Sequence, residues 1–139
     1  MNNDLRKKEA IEAFGRLLDI MDELREKCPW DKSQTMDTIR PLTIEETYEL
    51  SDSILQNDMS SIQKELGDIL LHIVFYSKIA DEQKTFDIVD VIESLSKKLI
   101  YRHPHIYGDV KVNNSNEVIQ NWEQLKMKEK DGNKTVLSG

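Results

Sequence analysis

A single cysteine, Cys28, leaves no internal disulfide to form, and it is expected to be a structural thiol in a reducing cytoplasm. Proline (3), glycine (5) and aromatic residues (6%) are scarce, and alternating apolar runs are few. Together these argue against sheets and predict helices throughout, an all-α fold. The apolar run from Ile69 to Tyr76 is interrupted by His72 and falls far short of the ~20 residues a membrane span needs. No apolar stretch lies in Met1 to Ala10, so no secretion signal is expected. A basic excess is missing too: the net charge is -7 with 32% charged residues, which fits a solvated surface and argues against nucleic acid as a partner. At 139 residues one domain is expected, residues 1–130, followed by a flexible tail over 131–139.

What is present is helical periodicity. Ile11, Phe14, Leu17, Leu18, Met21 and Leu24 recur at three- and four-residue steps, which predicts a first helix from Asp4 to Lys27 that Pro29 ends. A short helical turn is expected from Ser33 to Arg40, with Pro41 stopping it. Thr43-Ile44-Glu45-Glu46 matches a capping box and is expected to open a second helix, to about Asn57. Ser60 or Ser61 then caps a third, to about Gln83, whose apolar character almost all round reads as a buried helix. A fourth helix opens at Thr85-Phe86-Asp87 and is broken at Arg102-His103-Pro104-His105. After a loop from Gly108 to Ser115, a last amphipathic helix runs from about Asn116 to Lys130.

The chemistry lies in the second and third helices. Glu46 with Glu49, and Glu65 with Asp68, stand three residues apart and so share a helix face; Glu45 and Asp52 fall on the same side as the first pair. If the two helices are antiparallel neighbours, four carboxylates converge, which is costly unless a cation sits among them. Hard oxygen ligands without cysteine point to Mg²⁺ or Mn²⁺. An acidic face alone is ordinarily a solvated face, and a capping-box glutamate ordinarily a cap. The second pair shifts the balance, because acids heading an apolar helix need compensation. His72, on the same side as Asp68, is read as a hydrogen-bonded core residue rather than a ligand. Lys98 and Arg102, one turn apart, suit phosphate contact, although cations in a last turn also offset the helix dipole. Trp30 and Trp122 fit either a core or a base-stacking role.

The ordered segments KCPWDKSQT (27–35), EETYEL, KELGDILLHIVFYSKIA, KLIYRHPHIYGDV and NWEQLKMKE resemble the MazG family of nucleoside triphosphate pyrophosphohydrolases, from about residue 12 to 137. The resemblance implies an all-α bundle completed by dimerisation, as a homodimer or dimer of dimers. It implies Mg²⁺ on Glu46, Glu49, Glu65 and Asp68, with Glu45 close by as a base or second ligand. Nucleotide contacts carry over to Lys98, Arg102, Trp122 and Lys126. The implied reaction is (d)NTP plus water giving (d)NMP and pyrophosphate, in the cytoplasm. Typical members continue past Lys134-Thr135-Val136-Leu137, so the chain is also readable as the N-terminal portion of a longer two-domain protein. In that case a catalytically weak nucleotide-binding or dimerisation domain is the alternative to an active enzyme, and a plain helical scaffold with solvated acids is the third reading.

Overall fold

The computed structural model describes residues 3–132, which form seven helices and no strand. They are α1 (Asp4–Lys27), α2 (Pro29–Ser33), α3 (Met36–Leu55), α4 (Met59–Glu82), α5 (Ile88–Arg102), α6 (Pro104–Tyr107) and α7 (Ser115–Gly132). The all-α expectation therefore holds for the described residues. The chain divides into two compact units, Met1–Ile88 and Val89–Gly139. Of the expected tail, Asp131 and Gly132 close α7, and the remainder lies outside the described residues.

In the first unit, α1 matches its periodicity: Asn3 caps it by accepting from the Leu5 and Arg6 amides, and Cys28 ends it in extended geometry. Pro29 does not merely stop α1; it sits in the first turn of α2, where its missing N–H costs nothing. The expected break at Pro41 is absent. α3 begins five residues earlier, because Thr35 and Thr38 make the reciprocal cap: Thr35 Oγ1 accepts from the Thr38 amide at 3.2 Å and Thr38 Oγ1 from the Thr35 amide at 2.8 Å. Pro41 then falls inside the helix, where it removes one early backbone bond while the cap and the packing of Ile39 hold the rest.

This moves Thr43 and Glu46 from a helix start to a helix interior. The Thr43 hydroxyl faces α4, 2.9 Å from His72 Nδ1 and 2.5 Å from the Tyr76 hydroxyl. His72 is thus a buried, hydrogen-bonded core residue, as expected. Burial holds its pKa below the usual histidine value, against a weaker pull from the Asp68 charge. Asp58, not Ser60 or Ser61, caps α4, accepting from the Ser61 amide and hydroxyl.

The core joins α1, α3 and α4. Met21, Ile39, Val74, Phe75 and Ile79 are buried together, with Phe14, Leu17, Leu18, Met36 and Tyr76 packed on them. Each such side chain contributes about 1.5–3 kcal/mol on burial. Arg25 ties the segment after α1 to this core. Its guanidinium lies over the Phe75 ring, is held by the Glu82 carboxylate at 2.9 Å, and donates to the carbonyls of Asp31, Lys32 and Gln34. The expectation of α4 as a helix buried all round is corrected. One side is buried, but Leu66 (52%), Leu70 (39%) and Ile73 (42%) form an exposed apolar row at helical spacing, because α1 and α3 cover only the other side.

In the second unit, His103 Nδ1 donates to the Leu99 carbonyl and its ring meets Trp122 edge-on, with centroids 5.3 Å apart. Glu117 accepts from the Asn113 amide and Asn114 caps the start of α7.

Candidate metal centre

Three residues, Gln56 to Asp58, turn the chain from α3 into α4, and Asn57 takes the left-handed conformation (φ 54°) that this reversal needs. Asparagine tolerates that region better than most residues. The reversal makes α3 and α4 neighbours, so residues equidistant from Asn57 lie opposite one another. Glu49 pairs in this way with Glu65, and Glu46 with Asp68.

One carboxylate oxygen from each of Glu46, Glu49 and Glu65 lies within 4.8 Å of the other two. Glu65 is buried at 6% exposure, Glu46 is half-buried and Glu49 is open to solvent, so the cluster grades from a buried to an exposed carboxylate. Two buried oxygens, Glu46 Oε2 and Glu65 Oε2, have no hydrogen-bond partner. Carboxylates this close repel unless a proton or a cation lies between them. Without a cation, a proton relieves the repulsion as pH falls toward 7. Sharing it with Glu65 raises the Glu46 carboxyl to about 7, and burial and the charges of Asp68, Glu49 and Glu65 add to the rise. Glu49 is raised as well, chiefly by hydrogen bonding to Glu65. Glu65 moves the other way, because as acceptor from Glu46 it keeps the charge, aided by Glu49 and Lys64.

Of the expected residues, Glu46, Glu49 and Glu65 converge. Asp68 stands one turn further along α4, outside that group of three, where Lys64 Nζ lies 3.5 Å from its Oδ2 and 3.4 Å from Glu65 Oε1. Lys64 was not singled out from the sequence, although its position four residues before Asp68 is a recognisable ion-pair spacing. Glu45 is exposed on α3 and takes no part in the group of three. With Thr43 half-buried against α4 inside the helix, Glu46 has no capping role. Its carboxylate belongs to the cluster.

A divalent cation fits this donor set. Oxygen-only ligands, two unpartnered buried carboxylate oxygens and net negative charge are what a hard cation takes in place of the shared proton.

Within the second unit, Arg102 Nη2 lies 2.6 Å from Glu129 Oε2 and Arg102 Nε 3.2 Å from Glu129 Oε1, a two-pronged ion pair between α5 and α7. Lys98 and Lys126 are exposed, and both lower the pKa of Glu129 behind the larger effect of Arg102. Trp122 is half-buried, its indole Nε1 without a partner.

The fold is one already known among solved proteins. A MazG-related protein from Thermotoga maritima superposes with a TM-score of 0.70 at 24% identity, over 81% of this chain and 98% of that one. Residues 34–107, which carry all the clustered carboxylates, match the model of the MazG nucleotide pyrophosphohydrolase domain, and the chain belongs to that family. A nucleoside triphosphate pyrophosphohydrolase of Escherichia coli K12 is 48% identical over 84% of the chain and 46% of its own length. The nucleoside triphosphate pyrophosphohydrolase/pyrophosphatase MazG of Thermotoga maritima is 42% identical over 95% of the chain and 51% of its own length. The chain thus spans about half of these curated relatives. None of the described helices is long and apolar enough to cross a membrane.

Proposed function

We propose that this chain is a Mg²⁺-dependent nucleoside triphosphate pyrophosphohydrolase that converts (d)NTP and water into (d)NMP and pyrophosphate. The observation that carries the reading is the Glu46, Glu49 and Glu65 cluster with its unpartnered buried oxygens. Glu46, Glu49, Glu65 and Asp68 are the proposed ligands; Mn²⁺ suits the same donors. A bound cation supplies neutralisation of the polyphosphate and a lowered pKa for water. Glu45, the exposed sequence neighbour of Glu46 on α3, is the proposed base that takes the proton of the attacking water. The water oxygen bonds to the α-phosphorus as the bridging bond to the β-phosphate breaks, and pyrophosphate leaves. Lys98, Arg102, Trp122 and Lys126 are the proposed nucleotide and phosphate contacts. The names of the relatives support this reaction.

The exposed Leu66, Leu70 and Ile73 row supports a homodimer, or a dimer of dimers, in which a second copy covers α4. A catalytically weak nucleotide-binding or dimerisation domain is the second reading. Incubation with each NTP and Mg²⁺ separates the two. Pyrophosphate release that Glu49→Gln and Asp68→Asn abolish supports the enzyme; nucleotide binding with no turnover at any divalent cation supports the alternative.

A further inference from the structure

Glu129 stands among the cations of the second unit. It lies on α7, three residues after Lys126, and grips Arg102 at the end of α5, one turn after Lys98. The grip uses both Nε and Nη2 of the guanidinium, the fork that matches a phosphate as well as a carboxylate. The pair is only partly screened, with side-chain exposures of 23% and 32%. A single carboxylate does not balance three cations, so the cluster of Lys98, Arg102, Lys126 and Glu129 keeps a net positive charge. A polyphosphate brings several negative charges to the same place, and so outcompetes one carboxylate.

We propose that Glu129 is an exchangeable internal counterion, which occupies Arg102 in the nucleotide-free protein and yields it to a phosphate group of the substrate. This rests on the reading of Arg102 as a phosphate contact. Glu129 is then a positioning residue. It holds the guanidinium extended and oriented before substrate arrives, lowers affinity by competing with phosphate, and recaptures Arg102 when pyrophosphate leaves. A merely structural strut between α5 and α7 would share the ion pair and none of these consequences.

The test uses metal-free pyrophosphate as the probe and the full chain with Glu129→Gln, which keeps the shape and removes the charge. Calorimetry is expected to show about tenfold tighter pyrophosphate binding, the order expected when one competing charge is lifted from a partly exposed pair. The KM for NTP should fall in parallel. In Arg102→Ala, pyrophosphate should bind more weakly, and adding Glu129→Gln to it should bring back little. Unchanged or weaker binding in Glu129→Gln would overturn the proposal, and a lowered thermal midpoint beside it would mark a strut. Unchanged binding in Arg102→Ala would instead overturn the reading of Arg102 itself. In the wild-type protein the Arg102 Nε–H NMR resonance should shift on pyrophosphate addition, independently of how any variant folds; no shift would also overturn the proposal.

Discussion

Glu46→Gln separates a proton-bridged carboxylate cluster from a set of solvated acids. Glu46 titrates near 7 in the folded protein, against an ordinary value of 4.5. A group whose folded pKa is raised contributes stability below its unfolded pKa and loses it as pH rises through the folded value. The metal-free protein should therefore weaken between about pH 4.5 and pH 7 and level off above. The full shift corresponds to about 3 kcal/mol, and partial solvent access to Glu46 reduces the expected loss to about 1–2 kcal/mol. Glutamine keeps a donor facing Glu65 without titrating. Urea unfolding followed by circular dichroism, in EDTA and at fixed protein concentration, should find the variant equal to wild type near pH 5. At pH 8 it should be more stable by about 1–2 kcal/mol, a midpoint shift of roughly 0.5–1 M urea. His72 has the opposite sign, since its depressed pKa costs stability as pH falls below about 6.5. That contribution is common to both proteins and cancels in the comparison. Mg²⁺ should stabilise wild type at pH 8 and do less for the variant. Identical pH profiles for the two proteins would refute the shared proton.

Two further expectations concern the scaffold. Arg25→Ala should cost about 2–4 kcal/mol, because the carbonyls of Asp31, Lys32 and Gln34 and the Glu82 carboxylate lose one charged donor together; a loss under ~0.5 kcal/mol in urea titration would show that solvent satisfies them. Lys84 follows α4 at φ 58°, so Lys84→Gly should stabilise the protein by about 1 kcal/mol, read as a rise in thermal midpoint; a fall would mean that its side chain makes a contact outweighing the strain.

The paired carboxylates were legible because helical spacing and a short reversal are local properties. Glu46, Glu49 and Glu65 needed only three residues of turn between α3 and α4 to meet. The start of α3 was not, because Thr43-x-x-Glu46 and Thr35-x-x-Thr38 are both sound capping patterns and a proline lies between them. What decided was the burial of Ile39 and the partnership of Thr43 with His72 and Tyr76, which bring together residues far apart in sequence. Arg25 gave no signal because three of its partners are backbone carbonyls, at Asp31, Lys32 and Gln34, and the fourth, Glu82, lies far along the chain at the end of α4. The half-exposed α4 was misread because apolar residues all round a helix state that it is buried without saying by what. Its uncovered row is what a partner copy would meet in the proposed dimer.

Hydrolysis of a single NTP in ¹⁸O-enriched water, with the label located by mass spectrometry, tests the central claim most directly. Attack at the α-phosphorus places the label in the nucleoside monophosphate and leaves pyrophosphate unlabelled. Label in pyrophosphate, or orthophosphate as the released product, would contradict it.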